Sequence, residues 1–383
     1  MSSGQAAELA TVIQNFLPSL QAEKPLPAHL LRTLLALQHC RTEMMGGRIE
    51  QCTCCGKEEV VYNSCRNRHC PKCGSIEREK WLINREADLL PVNYLHMVFT
   101  IPDKLNRLFL HHQVDCYNIL FRVVNQVMNG FASNPDFLDA RIGYTAILHT
   151  WGQNLQYHPH LHLVVPAGGI TRNNRWKPAR GDGKFLFPVE QVSSVFRAKM
   201  VAELRKYVRQ EDVKVEAGLF SSLFKTNWVV YAKPPFNGPR QVLSYLGRYT
   251  HRTAISNNRI LKVDDENVVF SWRDYHQNDQ KVITEIDGKV FLKRFCLHVL
   301  PAGFTRIRHY GFMASAAKTK AMAALRKYFH LPEIEKPDFT WQQIVKTRMD
   351  IQVGCCKACG GLVETVRVLP SFFHQPIRAP AEC

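Results

Sequence analysis

The pattern of apolar positions divides the chain into a helical N-terminal stretch and a longer mixed region. Residues 5–46 carry apolar side chains at helical spacing, and Pro25 and Pro27 separate two predicted helices. Further helices are predicted over 75–90, 108–130, 194–209 and 239–252, and strands over 95–102, 144–151, 158–165 and 228–235. The helices and strands show no regular βαβ repeat, which favours an α+β fold. The short connection between the second and third strands predicts that they are antiparallel neighbours.

The third predicted strand carries histidines at alternate positions, His158, His160 and His162. Side chains alternate between the two faces of a strand, so His160 and His162 project from the same face while the leucines between them enter a core. Two imidazoles on one face can converge on one metal ion. The spacing alone does not choose the metal, because imidazole is a ligand for several divalent ions. Pro159 can bend the strand next to His158, so the participation of His158 is less secure.

Cysteines are clustered near the N-terminus. Cys52 and Cys55 form one C-x2-C knuckle, and Cys70 and Cys73 form another. Four thiolates from two knuckles predict a tetrahedral structural zinc site, with Cys54, Cys65 and His69 as spare donors. The basic residues nearby, including Arg66 and Arg68, suit contact with phosphates, although a purely structural zinc site explains the cysteines equally well.

Composition and charge narrow the class of protein. The chain of 383 residues is 45% hydrophobic and 22% charged, as in ordinary globular proteins. It has no apolar run long enough to span a membrane and no secretory signal pattern, so a cytoplasmic location is expected. The net charge is +17, and residues 288–332 contain nine basic residues and no acidic one, including Arg306 and Arg308. Such a surface favours nucleic acid as a partner.

Two tyrosines lie four residues apart in the predicted helix over 239–252. Tyr245 and Tyr249 would therefore share one face of this helix, as would Arg248 and Arg252. A tyrosine pair is usually part of a core, but beside a metal site and a basic surface it suggests nucleophiles. A phenol with a pKa of about 10 is a poor nucleophile at neutral pH. A divalent metal that draws charge from a phosphate offsets this weakness, and the product is a phosphotyrosine ester.

Four segments together resemble a known family, and they occur in that family's order. They are Tyr62-Asn-Ser-Cys-Arg-Asn-Arg-His-Cys-Pro-Lys-Cys73, His158-Pro-His-Leu-His162, Tyr245-Leu-Gly-Arg-Tyr-Thr-His-Arg-Thr-Ala-Ile-Ser-Asn257, and Phe295-Cys-Leu-His-Val-Leu-Pro-Ala-Gly-Phe-Thr-Arg-Ile-Arg-His-Tyr-Gly311. The chain resembles the rolling-circle HUH transposases of bacterial insertion sequences, in particular the two-tyrosine type of the insertion sequence 91 and 801 group. The resemblance covers about residues 25 to 330.

This resemblance implies an organisation and an activity. It implies an N-terminal zinc-binding domain followed by an HUH nuclease domain with a central antiparallel sheet flanked by helices. We expect the zinc-binding, DNA-contacting domain over 1–80, the nuclease domain over 81–332 and a C-terminal tail over 333–383. His160 and His162 would hold magnesium or manganese, with His158 as the preferred third ligand and Gln153 as the alternative. Tyr249 and Tyr245 would cleave and rejoin single-stranded DNA and transposon-end DNA at the bacterial nucleoid. The oligomeric state is left open.

The C-terminal tail has one further knuckle, Cys356-x2-Cys359. A second zinc ion there would need two more donors, and only His374 and Cys383 follow, so free surface thiols are the alternative. Two other functions are also weighed. A non-catalytic zinc-dependent DNA-binding protein leaves the histidines and tyrosines unexplained. A metal-dependent hydrolase of small phosphoesters has no need of the clustered basic residues.

Overall fold

The computed structural model describes residues 7–86, 88–236, 241–242, 247, 253–274, 277–332, 339–350 and 352–373. The helices are α1 Leu9–Glu23, α2 Ala28–Gln38, α3 Gly74–Glu86, α4 Asn106–His111, α5 Gln113–Ser133, α6 Arg180–Gly183, α7 Val189–Gln210, α8 Leu219–Phe224, α9 Gly288–Cys296, α10 Ser315–Tyr328 and α11 Trp341–Met349. The strands are β1 Gly47–Cys52, β2 Glu58–Tyr62, β3 Tyr94–Thr100, β4 Gly143–Trp151, β5 Tyr157–Pro166, β6 Gly168–Ile170, β7 Trp176–Pro178, β8 Val230–Phe236, β9 Ile260–Val263, β10 Asn267–Asp274, β11 Gln280–Asp287, β12 Ile307–Gly311 and β13 Val363–Leu369. The predicted α+β fold is confirmed.

The chain forms two compact units, and each is assembled from separate stretches. The first unit consists of Met1–Lys80, His251–Val299 and Asp338–Cys383, and the second of Trp81–Thr250 and Leu300–Pro337. The first unit therefore combines residues 1–80 with two later stretches, 251–299 and 338–383.

Packing in the first unit explains why residues 251–299 belong with the N-terminus. Helix α1 packs against α2 and α9. Gly288 begins α9, and a Cβ atom there would lie 2.0 Å from the ring of Phe16 in α1, so only glycine fits this contact. The side chains that α1 buries recur every three or four residues, which is the spacing that predicted the helix; they are Leu9, Val12, Ile13, Phe16, Leu17 and Leu20.

A three-stranded antiparallel sheet joins the two ends of the sequence within the first unit. Its order is β13-β1-β2, so β13, from the expected tail, pairs with β1. The other sheet of this unit has the order β11-β10-β9. The C-terminal strand is therefore an integral part of the N-terminal domain.

The second unit is built on a five-stranded antiparallel sheet, which confirms the expected central sheet. Its order is β12-β4-β5-β3-β8. The predicted hairpin between β4 and β5 is present, and every residue of β4 is buried. These two strands lie in the middle of the sheet, and each is hydrogen-bonded to a neighbouring strand on both sides.

The two faces of this sheet differ in chemistry. Leu161 and Leu163 of β5 lie on one face, together with Phe99, which pairs with Leu161 across β3. The ring centroid of Phe99 lies 5.2 Å from that of Phe196 in α7, so this face forms the core under the helices. His160 and His162 project from the opposite face, because side chains alternate along the strand.

His309 on β12 is half-buried and contacts the neighbouring strand β4. Its Nδ1 atom lies 2.9 Å from the hydroxyl of Thr145. Desolvation lowers the pKa of His309 to about 4, and the positive charges of Arg85 and Lys318 lower it further, while Asp88 opposes them. The ring is therefore neutral at neutral pH.

Candidate functional site

Three histidines converge on the polar face of the central sheet. His149 of β4 lies directly opposite His160 of β5, and His162 lies two residues further along β5. The ligand nitrogens of these three side chains all lie within 4.8 Å of one another. The antiparallel register of β4 and β5 thus brings three imidazoles together on one face of the sheet.

Hydrogen bonds orient two of these rings. Nδ1 of His160 donates to the backbone oxygen of His158 at 2.6 Å, which leaves Nε2 of His160 as the acceptor nitrogen. That Nε2 lies 3.0 Å from Nε2 of His162. The other ring nitrogen of His162, Nδ1, lies 2.8 Å from Nε2 of His96 on the neighbouring strand β3. Such outer hydrogen bonds fix the ring orientation of metal-ligating histidines.

Burial keeps His160 and His96 neutral at neutral pH. Desolvation lowers the pKa of His160 to about 4, and the nearby His158 side chain acts in the same direction, while the hydrogen bond that His160 donates to the His158 backbone oxygen raises it. Desolvation, Lys233 and His160 lower the pKa of His96 to about 3. The neutral ring is the form of histidine that ligates metals. His149, His160 and His162 therefore fit a divalent ion that accepts imidazole.

The third member of this group differs from the expected ligands. The side chain of His158 is 42% exposed, and its Nδ1 lies 3.7 Å from a carboxylate oxygen of Asp103. Gln153 lies in the turn between β4 and β5. The structure instead places His149 beside His160 and His162, with its ring stacked on Trp151 at 4.7 Å. The signal for His149 in the sequence was its position in the strand predicted over 144–151.

The two tyrosines, Tyr245 and Tyr249, and the adjacent Arg248 and Arg252 lie outside the described residues. A described residue of the same segment, Val242, is fully buried and packs with apolar residues of three strands: Tyr94, Ile147 and Val164. Ile147 pairs with His162, and Val164 follows two residues later on β5. Val242 therefore covers the same face of the sheet that carries the histidines.

Two groups of four cysteines lie in the first unit. One group consists of Cys40, Cys65, Cys70 and Cys73, and the other of Cys52, Cys55, Cys356 and Cys359. The four cysteines expected to form one zinc site are therefore divided between two groups. The reason is that each knuckle finds its partners elsewhere: one in Cys40 and Cys65, the other in the C-terminal knuckle.

The first group fits a zinc ion. Cys73 Sγ lies 3.3 Å from Cys40 Sγ and 3.6 Å from Cys65 Sγ. The backbone N–H groups of Cys65 and Asn67 point to the sulfurs of Cys40 and Cys65, both at 3.5 Å. Hydrogen bonds from the neighbouring thiols, first that of Cys40, lower the pKa of Cys73. Four sulfurs at this spacing can close a tetrahedral site.

The predicted DNA-contacting arginines occupy different surroundings. Arg66 is exposed and Arg68 is half-buried beside the first cysteine group. Arg306 is only 7% exposed. The guanidinium of Arg308 lies 4.1 Å from the centre of the Phe121 ring and donates to Asn118 Oδ1 at 2.6 Å. The side chain of Arg306 is therefore largely withdrawn from solvent.

Part of the basic segment 288–332 forms ion pairs within the protein. Lys289 and Lys293 both pair with Glu23, at 3.0 and 2.6 Å, and Lys318 pairs with Asp88 at 2.7 Å.

In the described part of the chain, no helix has the length and apolar character that crossing a membrane requires.

Comparisons with known proteins place this geometry in context. A family model described as "Transposase zinc-binding domain" matches residues 12–101, and one described as "Putative transposase" matches residues 143–321. The first match contains the whole of the first cysteine group, and the second contains the three converging histidines.

Two curated relatives cover most of the chain. A putative transposase, y4qJ, of Sinorhizobium fredii is 42% identical over 307 residues, which is 77% of this chain and 77% of that protein. The transposase for insertion sequence element IS801 of Pseudomonas savastanoi pv. phaseolicola is 25% identical over 368 residues, which is 92% of this chain and 87% of that protein. No solved structure matches the chain.

Proposed function

Because this chain belongs to the insertion sequence 91/801 family of transposases, with an N-terminal zinc-binding domain, we propose that it nicks and rejoins single-stranded DNA during rolling-circle transposition. The observation that carries this proposal is the convergence of His149, His160 and His162 on one face of the central sheet. Imidazole ligands suit a divalent ion such as manganese, or magnesium with oxygen ligands completing its shell.

Each group has a distinct role in the proposed reaction. A bound divalent ion would draw charge from the scissile phosphate. The phenol oxygen of Tyr249 or Tyr245 attacks phosphorus, and the bond from phosphorus to the 3′ oxygen breaks. The phenol loses its proton and the departing 3′ oxygen gains one. The 5′ end remains as a phosphotyrosine ester, which keeps the bond energy for rejoining to a 3′-hydroxyl.

The position of Val242 supports the assignment of the tyrosines. Val242 packs on the sheet face that carries the histidines, and Tyr245 follows it by only three residues in the sequence. Tyr249 is flanked in the sequence by Arg248 and Arg252, whose guanidinium groups suit a scissile phosphate. Two nucleophiles would allow one strand to stay attached while another is cut.

Covalent attachment to DNA tests the proposal. Labelled single-stranded DNA carrying a transposon end is incubated with the protein and manganese or magnesium, and the products are separated in SDS. We expect a band shift that survives SDS, its loss in Tyr249→Phe, and some nicking with reduced complete transposition in Tyr245→Phe. Phenylalanine keeps the ring volume and removes the nucleophilic oxygen. Wild-type adduct formation by both variants would show that neither tyrosine is the nucleophile.

A second function, a non-catalytic zinc-dependent DNA-binding protein, predicts a different result. It is favoured if DNA binds but no covalent product forms with either metal. Under the proposed function, His160→Ala and His162→Ala abolish cleavage and leave DNA binding largely intact, because phosphate contacts elsewhere dominate affinity.

A further inference from the structure

Two cysteine-containing turns of the same type lie next to each other in the first unit. Cys52, Cys55 and Gly56 form a C-x2-C-G knuckle at the end of β1, and the second knuckle ends in Cys359 and Gly360, just before β13. The N–H of Gly56 donates to the carbonyl of the first cysteine of its knuckle at 3.0 Å, and the corresponding bond from Gly360 measures 2.8 Å. The two glycines have φ of +71° and +76°, which glycine adopts without strain. The two knuckles therefore have the same backbone conformation.

The four sulfurs have the spacing of a zinc tetrathiolate. Cys52 Sγ lies 3.5 Å from Cys359 Sγ, and Cys55 Sγ lies 3.7 Å from Cys356 Sγ. Zinc–sulfur bonds of about 2.3 Å place the sulfurs of a tetrahedral site about 3.8 Å apart. A disulfide needs about 2.05 Å between its sulfurs, so these pairs are not disulfides.

Backbone donors and a lack of side-chain bulk complete the site. The N–H groups of Cys54 and Cys55 point to Cys52 Sγ at 3.4 and 3.5 Å, and that of Ala358 points to Cys356 Sγ at 3.4 Å. Such bonds favour the thiolate form that binds metals. A Cβ on Gly361 would lie 3.2 Å from Cys52 Sγ and 2.6 Å from the Cβ of Cys54, so a larger residue would disturb the cluster.

We infer that Cys52, Cys55, Cys356 and Cys359 bind a second structural zinc ion, which fastens the C-terminal strand to the N-terminal domain. The zinc-binding match over residues 12–101 already contains four cysteines in the first group, so its name requires no second ion. Cys356 and Cys359 lie outside both family matches. The inference does not depend on the proposed DNA chemistry.

Other contacts hold the two knuckles together in the same arrangement. The N–H and hydroxyl of Thr53 both donate to the carbonyl oxygen of Leu362, at 2.9 and 3.1 Å. Lys357, within the C-terminal knuckle, pairs with Glu59 of β2 at 2.5 Å. This pair is exposed and contributes little by itself. A zinc ion bound by the four thiolates would therefore add a crosslink to the backbone pairing of β13 with β1.

Zinc content and thiol reactivity of the full-length protein test this inference. Cys356→Ser should hold one thiolate-bound zinc fewer per chain than wild type, whereas Cys355→Ser and Cys54→Ser, each adjacent to a ligand, should keep the wild-type number. Cobalt substitution, read from sulfur-to-metal charge-transfer absorption, separates the thiolate sites from the histidine site.

Alkylation of the wild-type chain provides a measurement that does not depend on a variant folding. Cys359 is exposed, so burial cannot protect it. With zinc bound, we expect Cys359 to react about tenfold or more slowly than Cys54, and a chelator should remove this protection. Equal reaction rates, protection removed only by a reductant, or unchanged zinc content in a folded Cys356→Ser protein would each overturn the inference.

Discussion

His96 offers a sharp test of the histidine site, because it contacts the ring of His162 from outside the group of three histidines. Its Nε2 lies 2.8 Å from Nδ1 of His162, and the two rings stack with centroids 5.1 Å apart at 14°. The replacement His96→Phe keeps an aromatic ring for stacking and removes the nitrogen that pairs with His162. Orientation of His162 is thereby lost while most of the packing is retained.

The expected size of the effect follows from this position. Loss of an outer hydrogen bond to a metal-ligating histidine typically costs 10- to 100-fold in metal affinity, or about 1.4–2.8 kcal/mol. His96 is only 2% exposed, so bulk water does not readily replace its nitrogen. We therefore expect His96→Phe to weaken manganese binding by about 10- to 100-fold, and His96→Gln, which can still hydrogen-bond, to lose less.

Manganese affinity is measured by electron paramagnetic resonance titration of the full-length protein with its cysteine sites loaded with zinc. His158→Phe is the matched control, since the His158 side chain lies outside the group of three histidines and the backbone oxygen that accepts from His160 is retained. We expect the control to bind manganese as wild type does. The reasoning fails if a folded His96→Phe protein binds manganese normally, or if His158→Phe is weakened as much, which would make His158 a ligand.

Further outcomes are expected from three other positions. His149→Ala should abolish manganese binding and DNA cleavage while DNA binding persists; retained cleavage would exclude it as a ligand. Gly311→Ala should destabilise the protein by at least about 2 kcal/mol in denaturant unfolding, because φ is +60° and the new Cβ would lie 1.8 Å from the Ile142 carbonyl oxygen. Gly303→Ala, which also has positive φ but open space around it, should cost less; equal losses would contradict the steric reason. The pKa of His309 is about 6.5 when unfolded and about 4 when folded, so the unfolded chain binds the proton first and the free energy of unfolding falls as pH drops from 6.5 toward 4. His309→Gln should reduce this pH dependence in denaturant unfolding measured across that range, and an unchanged slope would refute the assignment.

Local patterns in the sequence predicted part of the fold, namely the first three helices, most of α5 and α7, and four strands of the central sheet, but not β1, β2, β6, β7 or β9–β13. The spacing of apolar residues located α1 and the strands β3, β4 and β5, because helices and strands impose periods of 3.6 and 2. The same alternation predicted that His160 and His162 share a face. Local patterns could do this because each depends on neighbouring residues only.

The remaining features depend on contacts between distant residues. His149 joins the histidines through the register of the β4–β5 hairpin, which includes a bulge after His149 and a left-handed residue, Leu155. A register set by such irregular backbone is not readable from residue types. Cys55 and Cys356 are 301 residues apart, so the expectation that neighbouring knuckles combine failed for a similar reason.

The division of the first unit into separate stretches has a consequence during protein synthesis. The first cysteine group is complete once residue 73 has been made, but Cys52 and Cys55 wait for partners about 300 residues later. At 5–20 residues per second, that interval lasts roughly 15 to 60 seconds. Throughout it, two thiols beside Cys54 are open to oxidation or to capture of a stray metal ion. During synthesis the N-terminal stretch therefore carries one complete cysteine group and one that is still half-formed.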